Sequence, residues 1–142
     1  MRVIITGGGT GGHTSPAVAI IQELRRRDPK VEITWLGRRG AIEERVSRAN
    51  DVPFRHVPGE GWPRTGSWRR LWVVAKMAWA VVRAAWLVMK GRPDFVVGVG
   101  GYVSLPVVLA AQFLGKKTAI HEQNKRLGMT NRLLARRATW IF

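Results

Sequence analysis

Cysteine is absent from this 142-residue chain, and acidic side chains are scarce. The first absence excludes a disulfide framework, a metal site built on thiolates and a cysteine nucleophile, and it fits a reducing compartment. Nine Asp and Glu stand against 24 Lys and Arg, which leaves a formal net charge of +15. A charge of this size predicts an anionic partner, such as nucleic acid, acidic lipid or a phosphorylated substrate.

The length and the apolar content, 46%, suit one domain with its own core. The N-terminus has a strand pattern rather than a basic segment followed by an apolar one, so we expect no signal peptide. The chain stops in the apolar run ATWIF. We therefore expect residues 1–142 to be one domain of a longer protein.

Apolar β-rich runs alternate with runs of helical periodicity along the chain. This alternation predicts an α/β fold, a Rossmann-like parallel sheet with helices on both faces, in which ligands bind at the carboxyl ends of the strands. The predicted strands are Val3–Thr6, Val31–Leu36, Phe54–Val57, Phe95–Val99, Thr118–His121 and Thr139–Phe142. The predicted helices are Pro16–Arg27, Ala41–Ala49, Trp68–Lys90, Leu105–Leu114 and Thr130–Arg137, and Pro58–Gly66 is a predicted mobile loop.

A glycine-rich segment, Gly7–Gly12, follows the first predicted strand and contains five glycines in six residues. Glycine permits positive φ and a close approach of the backbone to a ligand. Ser15 is expected to cap the following helix, and Pro16 to occupy its first position. The N–H groups of the helix start then face the gap, so the segment predicts an anion site.

The nature of that anion is open at this point. Gly7, Gly9 and Gly12 match the dinucleotide-binding spacing G-x-G-x-x-G, but two arginines stand where an acidic residue holds the ribose. Arginines suit a 2′-phosphate, so an NADP-dependent reductase stays an alternative. The segment also resembles a P-loop, but His13 occupies the position of the essential lysine, which argues against nucleotide hydrolysis.

His13 is the candidate catalytic base. It lies in a glycine-lined mouth beside a helix N-terminus, whose dipole disfavours the imidazolium form. A neutral imidazole that faces a substrate can accept a proton as a general base.

A second glycine turn, GVGGYVSLP, follows the fourth predicted strand. The amides of Gly100 and Gly101 are expected to hold a diphosphate or a developing negative charge, together with those of Gly7–Gly12. Tyr102 adds a polar group at the same edge of the sheet. Ser104 is expected to cap the next helix.

Four polar residues, His121–Asn124, follow the fifth predicted strand. Glu122 is a candidate acceptor for a ligand and a second, weaker candidate for the base, while Asn124 can donate and accept. His121 and Glu122 point to opposite faces if the strand continues, so we do not expect this pair to bind one metal ion together. We expect no metal centre held by the protein and no cofactor.

Three motifs, GGGTGGHTSPAVAI, GVGGYVSLP and HEQNKRLGMTNRLLAR, occur along the chain in this order and spacing. In them the chain resembles the N-terminal domain of the MurG-type peptidoglycan glycosyltransferases. The resemblance implies the N-terminal half of a GT-B fold, in which two Rossmann-like domains flank a cleft. This chain is then the acceptor-binding half, without the C-terminal nucleotide-sugar domain and inactive alone.

The resemblance also implies a reaction of peptidoglycan synthesis, and hence a part in cell-wall biogenesis, cell shape and cell division. N-acetylglucosamine passes with inversion from UDP-N-acetylglucosamine to the C4 hydroxyl of the muramyl sugar of lipid I, which is undecaprenyl-pyrophosphoryl-muramyl-pentapeptide. The product is lipid II. Such an enzyme works as a peripheral protein on the cytoplasmic face of the bacterial plasma membrane.

The resemblance assigns site residues one by one. It places Thr10, Gly11, Gly12 and His13 beside the reacting sugars and phosphates, and it matches Tyr102, Glu122, Asn124 and Asn131 to the other polar positions of the site. The segment Lys125-Arg126-Leu127 departs from the family, whose members commonly carry small or apolar residues there. The basic pair either binds phosphate or is solvated.

The predicted helix Trp68–Lys90 carries tryptophans along one face and basic residues every seven positions on its flank. Cations in mid-span argue against a transmembrane helix, because each costs about 2.5–3.5 kcal/mol there. Tryptophan settles at head-group depth and cations attract acidic lipid, so the pattern predicts a helix lying on an anionic membrane surface. The predicted membrane contacts are Trp68, Arg69, Trp72, Lys76, Trp79, Arg83 and Trp86.

The opposite side of this helix is expected to dock on the sheet, with Val74, Met77, Ala78, Val81, Ala85 and Val88. A protein–protein face and a non-catalytic membrane-surface module stay open as alternatives. Basic residues with interleaved aromatics can also bind single-stranded nucleic acid by stacking. Here the aromatics form a helical stripe, so we expect no nucleic-acid partner.

Overall fold

Six short strands form one parallel sheet in the computed structural model, which describes residues 1–9, 11–61 and 67–142. The strand order is β3-β2-β1-β4-β5-β6, and every neighbouring pair is parallel. The strands are β1 Arg2–Thr6, β2 Glu32–Gly37, β3 Phe54–His56, β4 Phe95–Gly98, β5 Lys117–Ile120 and β6 Trp140–Ile141. The helices are α1 Gly11–Arg27, α2 Ile42–Ala49, α3 Ser67–Gly91, α4 Ser104–Phe113 and α5 Met129–Leu134, which continues as the 3-10 turn Ala135–Arg137.

Both faces of the sheet are covered by helices, because the central strands are apolar on both sides. On one face Val3 and Ile5 of β1 pack in a cluster with Ile21 of α1. On the other face Ile4 of β1 packs in a second cluster with residues of α3, α4 and α5, such as Val88. The predicted Rossmann-like α/β fold is therefore confirmed, and element boundaries mostly differ by one or two residues, as is usual for helix ends.

The start of α1 is the largest difference. The helix begins at Gly11 rather than Pro16, so Ser15 and Pro16 lie inside it and the predicted cap and first position are wrong. The local rule that places proline at a helix start fails because the chain is already helical at the glycines. Proline at this position removes the N–H that would reach the Gly12 carbonyl. The earlier start brings His13 into the first turn.

The long helix α3 buries a set of residues that overlaps the predicted one only in part: Val88 is in the core, and Val81 and Ala85 are half-buried against it. Its buried residues are Val73, Ala80, Ala84, Leu87 and Val88. Val74 and Ala78 were predicted to dock on the sheet but are exposed, because the buried stripe follows the side that packs against α4. Of the loop predicted at Pro58–Gly66, residues 58–61 have no regular structure and 62–66 lie outside the described residues.

The buried and exposed faces of α3 should respond differently to a larger side chain. Ala84 is fully buried in the cluster between α3 and α4, whereas Ala78 is exposed on the same helix. Ala84→Leu should lower the free energy of unfolding by about 1–3 kcal/mol, because added methylenes strain a packed core. Ala78→Leu, the matched control, should change it by no more than about 0.5 kcal/mol. Urea unfolding of both variants measures this, and equal effects would contradict the assigned faces.

Candidate functional site

The candidate site lies where the direction of the sheet order reverses. From β1 the chain builds β2 and β3 on one side, and then crosses back to place β4 on the other side of β1. In open parallel sheets the crevice outside the carboxyl ends of two such strands is the usual ligand site. The glycine turns after β1 and β4 both end in this crevice.

These two glycine turns touch through their backbones. The Gly8 amide donates to the Gly100 carbonyl over 3.4 Å. Gly101 has a φ of +81° and packs so closely on the Gly8 carbonyl oxygen that a Cβ would collide with it. Only glycine fits there, because both the conformation and the space exclude a side chain.

The buried side chain of Ser104 contacts the backbone at the ends of both β1 and β4. Its hydroxyl donates to the carbonyl of Gly100 at 2.6 Å, and its oxygen lies 3.3 Å from the Thr6 carbonyl oxygen. The predicted capping role is wrong, because Ser104 is the first residue of α4 and its side chain is fully buried against the end of β1. Ser104 therefore fixes the spacing of the strand exits.

His13 joins the third loop to the first two. Its Nδ1 lies 3.1 Å from Oε1 of Gln123, whose Nε2 donates to the Val99 carbonyl at 2.9 Å. Because an amide oxygen only accepts, this network assigns the proton of His13 to Nδ1 and leaves the Nε2 lone pair available. A Cβ at Gly100 would lie 2.8 Å from His13 Nδ1, so this glycine makes room for the ring.

Gln123 was not singled out from the sequence. It stood in the polar run after β5, but its partner is 110 residues away in the chain. The only signal available was its place in the run of four polar residues at a strand exit.

Glu122 serves the loop that follows β5. Burial raises the pKa of this carboxyl, but donation from the amides of Gly128 and Asn124 and from the side chains of Asn124 and Asn131 outweighs burial and lowers the pKa to about 2. The four donor–acceptor distances are between 2.9 and 3.1 Å. A carboxylate this stabilised is a poor proton acceptor, so the geometry favours a role in holding the loop.

Asn131 lies beneath this loop and is 3% exposed. Its Nδ2 donates to the His121 carbonyl at 3.1 Å and to Glu122 at 3.0 Å. Its Oδ1 is buried and accepts no hydrogen bond from the described residues. Asn124, in contrast, is exposed at the mouth of the site.

Tyr102 covers the glycine segment and is 40% exposed. The Tyr102 ring packs beside two glycines: a Cβ added at Gly9 would lie 3.7 Å from the ring, and one added at Gly61 would lie 3.2 Å from it. It therefore links the first glycine turn to the loop after β3.

Thr10 lies outside the described residues, as do the side chain of Arg69 and the surroundings of Gly11.

A buried carboxylate, Glu43 of α2, supports the first glycine turn and was also missed. It is fully buried and accepts the amides of Gly9 at 3.3 Å and Arg38 at 3.1 Å. The amides of Gly8 and Gly9 are thus engaged within the protein. Of the amides expected to face a phosphate, those of Gly8 and Gly9 are therefore already used, whereas those of Gly100 and Gly101 donate to no described residue.

The crevice contains polar side chains and backbone amides. Within the part of the chain that the structure describes, no three His, Asp or Glu side chains come together as metal ligands. The crevice thus offers an oriented imidazole, backbone amides at a helix start and exposed polar side chains, which together suit an anionic, hydroxyl-bearing ligand.

The tryptophans of α3 lie on its exposed side. Trp68, Trp72, Trp79 and Trp86 are 85, 67, 60 and 45% exposed. Lys76, on the flank, pairs with Glu60 of the loop after β3 at 2.6 Å. By length and apolar composition alone, Arg70–Gly91 would suffice to cross a membrane.

Comparison with known proteins shows the family. The sequence pattern of the glycosyltransferase family 28 N-terminal domain matches residues 3–142. The chain is 39% identical over 136 residues to the UDP-N-acetylglucosamine--N-acetylmuramyl-(pentapeptide) pyrophosphoryl-undecaprenol N-acetylglucosamine transferase of Bacillus subtilis, a match that covers 96% of this chain and 38% of that protein. It is 44% identical over 136 residues to the protein of the same name from Desulfitobacterium hafniense, covering 96% and 37%.

Solved structures agree with this match. MurG of Acinetobacter baumannii superimposes with a TM-score of 0.82 at 32% identity, over 99% of this chain and 40% of that one. The UDP-GlcNAc 2-epimerase of Neisseria meningitidis, at 16% identity and a TM-score of 0.70, covers 100% of this chain and 40% of its own length, and it shares the fold. The chain thus spans about two-fifths of the length of these relatives. Because the family pattern extends over all but its first two residues, this chain belongs to glycosyltransferase family 28, as the N-terminal domain.

Proposed function

We propose that this chain is the acceptor-binding half of an inverting transferase that makes lipid II. N-acetylglucosamine would pass from UDP-N-acetylglucosamine to the C4 hydroxyl of the muramyl sugar of lipid I, the reaction named for the curated relatives. The nucleotide-sugar domain would lie in the part of the relatives that this chain does not span. The observation that carries the proposal is the His13 imidazole, anchored by Gln123 in the crevice between β1 and β4.

The proposed chemistry needs one proton transfer and one displacement. The C4 oxygen attacks the anomeric carbon of N-acetylglucosamine while the bond to UDP breaks on the opposite face. Nε2 of His13 takes the proton of the attacking hydroxyl, because Nδ1 is held as a donor to Gln123. No metal ion or cofactor is required of this half.

Binding of the lipid diphosphate is proposed at two sets of amides. The start of α1, at Gly11 and Gly12, presents N–H groups that no earlier turn of the helix can satisfy, and its dipole favours an anion. Gly100 and Gly101 present the second set. The resemblance adds Thr10 to this group.

The remaining polar residues divide by exposure. Tyr102 and Asn124 are exposed and are proposed to contact the acceptor sugar. Glu122 and Asn131 are proposed as positioning residues, because their hydrogen bonds hold the loop that carries Asn124. In this proposal Glu122 is no longer the alternative base.

The exposed tryptophans of α3 are proposed to rest on the cytoplasmic face of the bacterial plasma membrane as a peripheral contact. Arg69 and Arg83 would add attraction to acidic lipid, each worth about 1 kcal/mol near the surface. Lys76 is tied to Glu60, so it links this face to the loop that meets Tyr102. Spanning is disfavoured because Lys76 and Arg83 would lie in mid-membrane, and no nucleic-acid partner is proposed.

Transfer to lipid I tests the function. In the complete enzyme that contains this chain, His13→Ala should lower kcat by about 10²–10⁴-fold, the usual loss on removing a general base. The matched control is His56→Ala, on the edge strand β3, which should retain turnover. Near-normal turnover of His13→Ala would refute the base. Absence of transfer by the unmodified enzyme, together with micromolar NADPH binding, would revive the reductase alternative.

Gln123 supplies a second, independent test. Gln123→Leu removes the acceptor for His13 Nδ1 and lets the ring turn, so kcat should fall by up to about 10²-fold. The variant Gln123→Glu keeps an acceptor at the same place and should restore much of the loss. Equal activity of the Leu variant and the parent enzyme, in single-turnover assays with lipid I, would contradict the proposed orientation.

The membrane contact is tested with vesicles. Trp72→Ser combined with Trp79→Ser should weaken co-sedimentation with vesicles rich in phosphatidylglycerol, because it removes the two exposed rings at the middle of the stripe. Binding of the parent should also weaken as salt rises. Trp140→Ser, at an exposed tryptophan on β6, is the control. Unchanged binding of the double variant would remove the membrane role of this face.

A further inference from the structure

A groove lies between the second half of α3 and the face of the sheet formed by β1, β2 and β3. Its volume is about 540 Å³, within the range of about 300–1,000 Å³ usual for small-ligand sites. Thr34 and Arg55 line it from the sheet, and Arg83, Trp86 and Lys90 line it from α3. His13 and the glycine turns are not part of its lining, so the groove is distinct from the catalytic crevice.

The lining carries an excess of positive charge. Arg2, Arg55, Arg83 and Lys90 stand against one carboxylate, Glu32. Among the described residues, no carboxylate oxygen comes within 4.0 Å of the cationic groups of Arg55, Arg83 or Lys90. Like charges gathered on one wall repel each other and attract an anion.

Trp86 orders two of these cations. The Arg83 guanidinium lies 4.7 Å from the centroid of a Trp86 ring, and the Lys90 ammonium lies 5.0 Å from it. Such cation–π contacts hold the two groups on the groove wall without neutralising their charge. Trp86 also belongs to the exposed tryptophan stripe, so the groove opens beside the face that the proposed function sets on the membrane.

We propose that this groove binds the phosphodiester of an acidic phospholipid head group. The guanidinium groups of Arg55 and Arg83 supply planar pairs of donors that match two phosphate oxygens, and Lys90 adds a point charge. The acyl chains would leave along Trp86 toward the bilayer. This assignment rests on the proposed membrane face and gives it a discrete lipid site, rather than a diffuse attraction.

Lipid retention in detergent tests the site without a membrane surface. In native mass spectrometry of the chain with phosphatidylglycerol in micelles, we expect one retained lipid per chain. Arg55→Gln should weaken retention by about tenfold or more, because it removes a charged hydrogen-bond donor. Arg70→Gln removes the same charge from an exposed position of α3 outside the groove lining, and it should retain the lipid. Equal losses in the two variants, with circular dichroism showing both folded, would overturn the proposal.

The source of the phosphate is tested in two further arms. Vesicles with a carboxylate lipid at the same surface charge should bind the parent chain more weakly than phosphatidylglycerol vesicles, and Arg55→Gln should abolish that difference. Equal binding of both vesicle types by the parent would overturn the phosphate site. If inorganic phosphate binds saturably and as tightly as the lipid, the groove binds a soluble anion. That result would contradict the proposed lipid site.

Failure of this site and failure of the membrane face give different results. If the tryptophan face is wrong, Trp72→Ser with Trp79→Ser leaves vesicle binding unchanged, while lipid retention in detergent still depends on Arg55. If the groove is wrong, the tryptophan variants lose vesicle binding, while Arg55→Gln behaves like Arg70→Gln in every arm.

Discussion

The close approach of two glycine turns is the constraint on which the site depends. Gly101 packs on the carbonyl of Gly8, and the Gly8 amide reaches the carbonyl of Gly100. A side chain at Gly101 would push the exits of β1 and β4 apart, because its Cβ has no space. Gly100 also clears the room that the His13 ring occupies. The His13 imidazole can reach Gln123 because these turns carry no side chains.

Around that contact, buried side chains hold the loops in place, and other polar side chains are exposed. Ser104 and Glu43 are fully buried and hold the two turns from opposite sides of the sheet. Glu122 does the same for the third loop, with a carboxylate that four donors keep ionised. The groups left at the surface, Tyr102 and Asn124, are those that a substrate can reach.

Local patterns predicted the sheet, its helices and the strand exits that meet in one crevice. Continuous apolar runs identify buried parallel strands, and glycine at a strand exit identifies a close backbone approach. The support of the site could not be predicted, because Gln123 and Glu43 act on loops 110 and 34 residues away. Pro16 misled the prediction of α1, since a local preference gave way to the path imposed by the turns.

The tautomer of His13 tests this arrangement most directly. Nitrogen-15 chemical shifts of the imidazole at neutral pH report which ring nitrogen carries the proton. The hydrogen bond to Gln123 predicts a proton on Nδ1 and a bare Nε2, and it predicts that Gln123→Leu disturbs this preference. A proton on Nε2 in the parent chain, or a tautomer insensitive to Gln123, would contradict the proposed orientation of the base.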